Sequence, residues 1–188
     1  MVSSYAAHLF AMKSMVYLTC ALADRKNVDI RLEAAAAKYF CSETLYRILD
    51  DYLQVRGGRG YERATSLYER GERPTSVEMA IRDMRVGRIF EGSSQVMHLI
   101  MAREALDTHF KLVMPILQPK PGQKLSKGEA MMKAAGFYST WLPKLFMPET
   151  GHHFEARHLS EVNRKHLAYA GKTSKLLARR LFATTPRF

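Results

Sequence analysis

One carboxylate stands apart from the other acids of the chain. Glu91 sits in Ile89-Phe90-Glu91-Gly92-Ser93-Ser94-Gln95, with apolar residues before it and small ones after. A carboxylate works as a general base near neutral pH when partial burial disfavours its charged form. A run of small residues lets the backbone turn sharply enough to aim it. The competing reading is an acid in a helix first turn, favoured there by the helix dipole. Ser93, Ser94 and Gln95 open the next helical pattern, where first-turn N–H groups and hydroxyls either bind phosphate or cap the helix. A second cluster, Gln54-Val55-Arg56-Gly57-Gly58, reads as a glycine helix stop or as a turn that a ligand approaches closely. Arg82-Asp83, between the two clusters, reads as a structural ion pair holding a helix. His152-His153 with His158 lacks an acid or cysteine to complete a ligand set, so no metal site is expected.

The elements that must position these residues are helical. Residues 5–24 carry Leu9, Met12, Val16, Thr19 and Ala23 near one stripe. A stronger pattern from about Asp29 to Val55 repeats Leu32, Ala36, Tyr39, Phe40, Leu45, Leu49 and Leu53 at spacings of three and four. Its run Ala34 to Ala37 favours helix and close packing. Residues 59–76 read as a polar connector. A third helix is expected from near Pro74 to about Phe90 with Ser76 as N-cap, and a fourth from about Ser94 to Leu117. Pro115, Pro119, Pro121 and Gly122 mark a boundary. Beyond it, Ser126 to about Ala135 and about Ser160 to Thr184 read as helices. The last carries an apolar stripe of Val162, Leu167, Ala170, Ser174, Leu177 and Leu181. No useful strand alternation is found. The expected fold is all-α: an up-down four-helix bundle over 1–114, then a basic helical extension over 115–188.

At 188 residues the chain suits one domain with an extension, and 47% apolar residues with 10% aromatics exclude wholesale disorder. No unbroken run of about 18 apolar residues indicates a membrane span, and Met1 to Phe10 lacks the pattern of a secretory signal. Cys20 and Cys41 form no framework, which fits a reducing cytoplasm. The net charge is +11, and after Lys111 the acids are Glu129, Glu149, Glu155 and Glu161 alone. Such a surface suits a phosphorylated ligand, anionic lipid or nucleic acid, or is merely solvated. No nucleic-acid motif supports the last of these partners, which is not expected.

Taken together, Gln54 to Gly58, Arg82-Asp83, Phe90 to Gln95 and Ile100-Met101-Ala102-Arg103-Glu104 resemble the C-terminal helical domain of acyl-CoA dehydrogenases, over roughly residues 5–110. The longer connector and the helical extension are most similar to long- or very-long-chain bacterial members. Two departures stand out: Ser93 replaces the family's usual threonine, and Phe90 its frequent tyrosine. The resemblance implies an oxidoreductase of fatty-acid β-oxidation that converts acyl-CoA to 2-enoyl-CoA. Glu91 would remove the α-proton while the β-hydride leaves for FAD. It further implies that Phe90 and Gly92 meet the substrate and that Ser93, Ser94 and Gln95 contact FAD. Gln54, Gly57 and Gly58 would reach the FAD of a neighbouring copy, hence a homodimer or tetramer, with electron-transferring flavoprotein as the acceptor. Nothing in the chain resembles the family's N-terminal helical or β domains, so a portion of a longer protein that holds little FAD alone is expected. Trp141 with Phe137-Tyr138 between lysines suggests peripheral membrane contact. The alternative from another class is a non-catalytic helical dimerisation or scaffold module.

Overall fold

A computed structural model describes residues 2–118, 126–148 and 158–184. Its helices are α1 (Val2–Asp24), α2 (Arg31–Arg56), α3 (Gly58–Tyr61), α4 (Ala64–Glu69), α5 (Val77–Val86), α6 (Ser94–Leu117), α7 (Lys127–Phe146) and α8 (Glu161–Thr184). The described residues contain no strand, as an all-α chain requires. They fall into two compact units, Met1–Thr108 and His109–Phe188, with the division inside α6. Pro115 lies in the last turn of α6 and does not end it.

In the first unit α2 is the axis. Alpha1, α3 and α5 pack on it, and α6 reaches it through side chains, with the Tyr39 and His98 rings 4.4 Å apart. No residue from Ala35 to Tyr46 is exposed. The alanine run makes this possible, since Ala35 and Ala37 are buried where bulkier side chains would hold neighbours off. Alpha1 turns the stripe Tyr5, His8, Met12, Met15, Thr19 and Leu22 inward, while Leu9 and Val16 lie on its flank. Phe10, Tyr17 and Leu18 are exposed. Alpha1 is also long and apolar enough by composition to cross a membrane, although scattered Ser, His and Lys residues break every long apolar run.

The stretch 59–76 departs from the expected polar connector. It folds into α3 and α4, and Leu67 in α4 is the most deeply buried side chain of the unit. Charges at its edges conceal that anchor in the sequence. Arg70 pairs with Glu62 at 2.8 Å and Glu72 at 3.5 Å, and Arg59 with Glu72 at 3.5 Å. Alpha3 lies so close to the end of α2 that a Cβ on Gly60 would stand 2.7 Å from the Arg56 Cβ. Alpha5 starts where expected, with the Ser76 hydroxyl accepting from the Met79 N–H at 3.1 Å, but it stops at Val86.

In the second unit α7 begins at the expected Ser126, through a capping box with Glu129, and then runs on past Ala135 to Phe146. Gly136, Thr140 and Pro143 are poor helix formers, but Phe137, Tyr138 and Trp141 pack around His109, and tertiary contacts override propensity. Alpha8 has the expected extent but presents a different face. Its less exposed positions are Arg164, Ala168, Gly171, Lys175, Ala178 and Arg179, whereas Val162, Leu167, Leu177 and Leu181 are exposed. Small residues allow close approach, and long basic side chains bury their stems beside them. The Lys175 ammonium donates to the Met147 carbonyl at 3.3 Å, and the Arg179 guanidinium lies 5.0 Å from the Phe146 ring centre.

Candidate active site

The α5–α6 connection brings Glu91 to the mouth of a cleft. After Val86 the chain tightens, with the Phe90 N–H donating to the Val86 carbonyl at 3.0 Å. Glu91 has φ 50° and Gly92 has φ 100°. Two successive left-handed residues reverse the chain, and the Ser94 N–H closes the loop on the Arg88 carbonyl at 3.2 Å. A left-handed glutamate costs about 1–2 kcal/mol and persists only where its surroundings impose it. Glycine suits position 92 chiefly because its φ of 100° strains any other residue, and a Cβ there would in addition push the tip of the Met97 side chain aside.

The surroundings that impose this turn come from α2. The Lys38 ammonium donates to the Gly92 carbonyl. Glu43 accepts from Arg88 Nε at 2.8 Å and from the Ser94 hydroxyl, and the Arg88 guanidinium lies 4.6 Å from the Tyr46 ring centre. Burial alone would raise the Glu43 pKa, but the hydrogen bonds from Ser94 and Arg88, with the charges of Arg88 and Arg47, outweigh it and hold the carboxyl below the ordinary glutamate value. Glu91 itself is exposed rather than partly buried. It lines the rim of a cavity of about 590 Å³ walled mainly by apolar side chains of α1, α2 and α5, among them Leu9, Met12, Val16, Leu45 and Met84, with Phe90 beside it.

The other expected site residues divide into two groups. Phe90, Gly92, Ser93, Ser94 and Gln95 stand together at the turn. Ser93 caps α6, its hydroxyl accepting from the Val96 N–H at 3.4 Å. Ser94 is buried, with both hydroxyl and N–H engaged within the loop network, and Gln95 is exposed. Gln54, Gly57 and Gly58 lie apart, exposed at the far end of α2. Gln54 is eleven residues beyond Glu43 (54 − 43), or about 16 Å along a helix. Gly57 has φ 60°, and a Cβ on Gly57 or Gly58 would meet nothing within 4 Å, so the turn faces open space. Arg82 is not paired with Asp83 as expected. Neighbours in a helix point apart, and Arg82 Nε reaches Glu78 one turn away at 2.8 Å.

No group of three metal-ligating side chains occurs among the described residues, and His152 and His153 lie outside them. Sequence reasoning missed Lys38, Glu43 and Arg88. Glu43 and Arg47 have the spacing of an ordinary surface pair, and α2 carries enough other charges, Arg31, Glu33, Asp50 and Asp51 among them, that nothing local marks Lys38 or Glu43.

Comparison with known proteins identifies the family. Residues 1–106 match the family described as acyl-CoA dehydrogenase, C-terminal domain, and the chain belongs to that family. It is 42% identical over 186 residues to the probable acyl-CoA dehydrogenase FadE10 of Mycobacterium tuberculosis, a match covering 96% of this chain and 28% of that protein. It is 36% and 34% identical over 93 residues to the mitochondrial very long-chain specific acyl-CoA dehydrogenases of Mus musculus and Homo sapiens, covering 50% of this chain and 13% of each relative. The chain therefore spans less than a third of the curated relatives it matches. No solved structure matches it.

Proposed function

We propose that this chain is the base-bearing helical part of an FAD-dependent acyl-CoA dehydrogenase acting in fatty-acid β-oxidation. The observation that carries the reading is Glu91 on its left-handed turn at the rim of an apolar cleft. An acyl chain entering the cleft beside Phe90 brings its thioester end towards Glu91 and excludes water there, supplying the desolvation that a carboxylate base needs. Glu91 then takes the α-proton. Bound FAD would supply the acceptor for the β-hydride, with electron-transferring flavoprotein as the next acceptor.

Both sets of expected cofactor contacts have suitable chemistry. Ser93, Ser94 and Gln95 stand at the start of α6, where N–H groups suit an anionic or polar ligand, although Ser94 spends its donors on the loop. Gln54, Gly57 and Gly58 form an open turn at the far end of α2, which fits service to a neighbouring copy in a homodimer or tetramer. Exposed Phe10 and Leu18 on α1 supply apolar surface for such assembly.

The decisive experiment is a flavin spectrum of the assembled enzyme with long-chain acyl-CoA under anaerobic conditions. The parent should bleach. Glu91→Gln should keep its flavin and bleach about 10²- to 10⁴-fold more slowly. Bleaching at the parental rate would overturn Glu91 as base, and a protein that takes up no flavin would favour a scaffold.

Phe137, Tyr138 and Trp141, the residues expected to meet a membrane, pack around His109 instead. We therefore place the protein in the cytoplasm with peripheral membrane contact through α8, where exposed Leu176 and Leu177 accompany Lys172 and Arg180. Co-sedimentation with phosphatidylglycerol vesicles, weaker with phosphatidylcholine and in high salt, should follow. Equal recovery without vesicles would sink this placement.

A further inference from the structure

We propose that Lys38 and Glu43 of α2 are positioning residues for the Glu91 carboxylate, acting through the loop from Arg88 to Ser94; this rests on Glu91 being the base. The loop is gripped at three points from one helix. Glu43 takes Arg88 at its start and Ser94 at its end. Lys38 takes the carbonyl of Gly92, one residue past Glu91. Arg88 N–H, Ile89 N–H and Phe90 N–H are all spent on carbonyls of Arg85 and Val86, so the first half of the loop is also tied to α5.

The Gly92 carbonyl matters most, because it lies in the Gly92–Ser93 peptide, and holding that plane fixes the exit of the turn that Glu91 and Gly92 make. Glu91 holds φ 50° without a glycine's freedom. Left to itself it would relax to negative φ and swing the carboxylate off the cleft. Lys38 and Glu43 are placed to prevent this rather than to serve α2. Both occupy a stretch of α2 with no exposed residue, where an unpartnered charge is costly, and the contacts described for both lead into this loop. Lys38 also lines the cleft, but its ammonium is spent on the Gly92 carbonyl, and Glu43 does not line it, so both act by fixing the near-attack geometry of another residue.

The test uses the flavin-loaded enzyme with Lys38→Met and Glu43→Gln, which keep most of the side-chain volume and remove the charge that strengthens each hold on the loop. Flavin content should stay within about twofold in both, and KM within about twofold in Glu43→Gln, while the flavin-reduction rate at saturating acyl-CoA falls about 10- to 100-fold. Amide hydrogen exchange in residues 88–97 should quicken at least about tenfold without substrate, and exchange in α7 should not change. Lys38→Arg should restore both readouts in part, and it serves as the test if Lys38→Met fails to fold. Parental reduction rates in Lys38→Met and Glu43→Gln would overturn the proposal, whether or not exchange quickens. Glu91→Gln measured alongside separates the two failures. If Glu91→Gln reduces normally, the base assignment falls and the positioning role with it. If Glu91→Gln is inactive while the α2 variants reduce normally, the positioning alone is overturned.

Discussion

In Met1–Thr108 the packed helix α2 carries a lysine and a glutamate whose charges are spent on one loop, whereas in His109–Phe188 an aromatic cluster of His109, Phe137, Tyr138, Trp141 and Phe182 does the packing. The first arrangement is directional. Each charged hydrogen bond demands a particular atom at a particular place, so the backbone it holds can be kept strained. The second is tolerant: rings 4.7 to 6.1 Å apart at mixed angles gain from contact more than from aim. The family match ends at residue 106, close to the limit of the first unit, while the 186-residue alignment with the mycobacterial relative runs through both. A unit that holds a left-handed turn needs directional support, and one that fills space does not.

Glycine to alanine substitutions should separate the two units most strongly. Gly92→Ala forces a Cβ onto Met97 Cε and onto a φ of 100°, and we expect a loss of about 1–3 kcal/mol in unfolding free energy. Gly136 lies exposed in the middle of α7 with open space around its Cβ position. Gly136→Ala should therefore stabilise by about 0.5–1 kcal/mol, the ordinary helix-propensity gain. Urea titration of both variants decides the matter. A neutral Gly92→Ala would mean that the turn is soft enough to move, and the contrast between the units would collapse.

The same contrast explains what the sequence alone could disclose. Helix existence was legible wherever apolar residues recurred at helical spacing, and α2 and α6 came out nearly in full. The turn that carries Glu91 was legible because its motif is local, seven residues read in one stretch. Leu67 was not, since a single apolar residue among arginines and glutamates carries no periodicity, yet it anchors α4. The inward face of α8 was misassigned because its alanines and glycine pack more closely than its leucines. Lys38 and Glu43 were invisible for a different reason. Their partners lie more than 40 positions away (92 − 38 = 54; 88 − 43 = 45), and no spacing rule connects residues across a fold.

The smallest expected effect is one of pH, and it distinguishes the units by where it begins. Burial among the rings lowers the pKa of His109 below 6.5. The folded unit therefore keeps the imidazole neutral where the unfolded chain already takes up a proton. Stability that is fully present above pH 6.5 is lost as pH falls from there through the folded value. Glu43 is also held low, but from a starting value of 4.5, so the stability it lends the Glu91 loop is present above pH 4.5 and is lost only as pH falls below it. Trp141 is the chain's one tryptophan, and its ring lies 4.7 Å from that of His109, so its emission reports the second unit directly. The urea midpoint followed by Trp141 emission should fall between pH 7.5 and 5.5, and His109→Phe should remove most of that fall. Amide protection factors in residues 88–97, corrected for the intrinsic pH dependence of exchange, should stay constant over the same range and fall only below about pH 4.5, a step that Glu43→Gln should abolish. A Trp141 midpoint that is flat down to pH 5.5 would show that the aromatic cluster admits the imidazolium without cost. The second unit would then be tolerant of charge as well as of geometry.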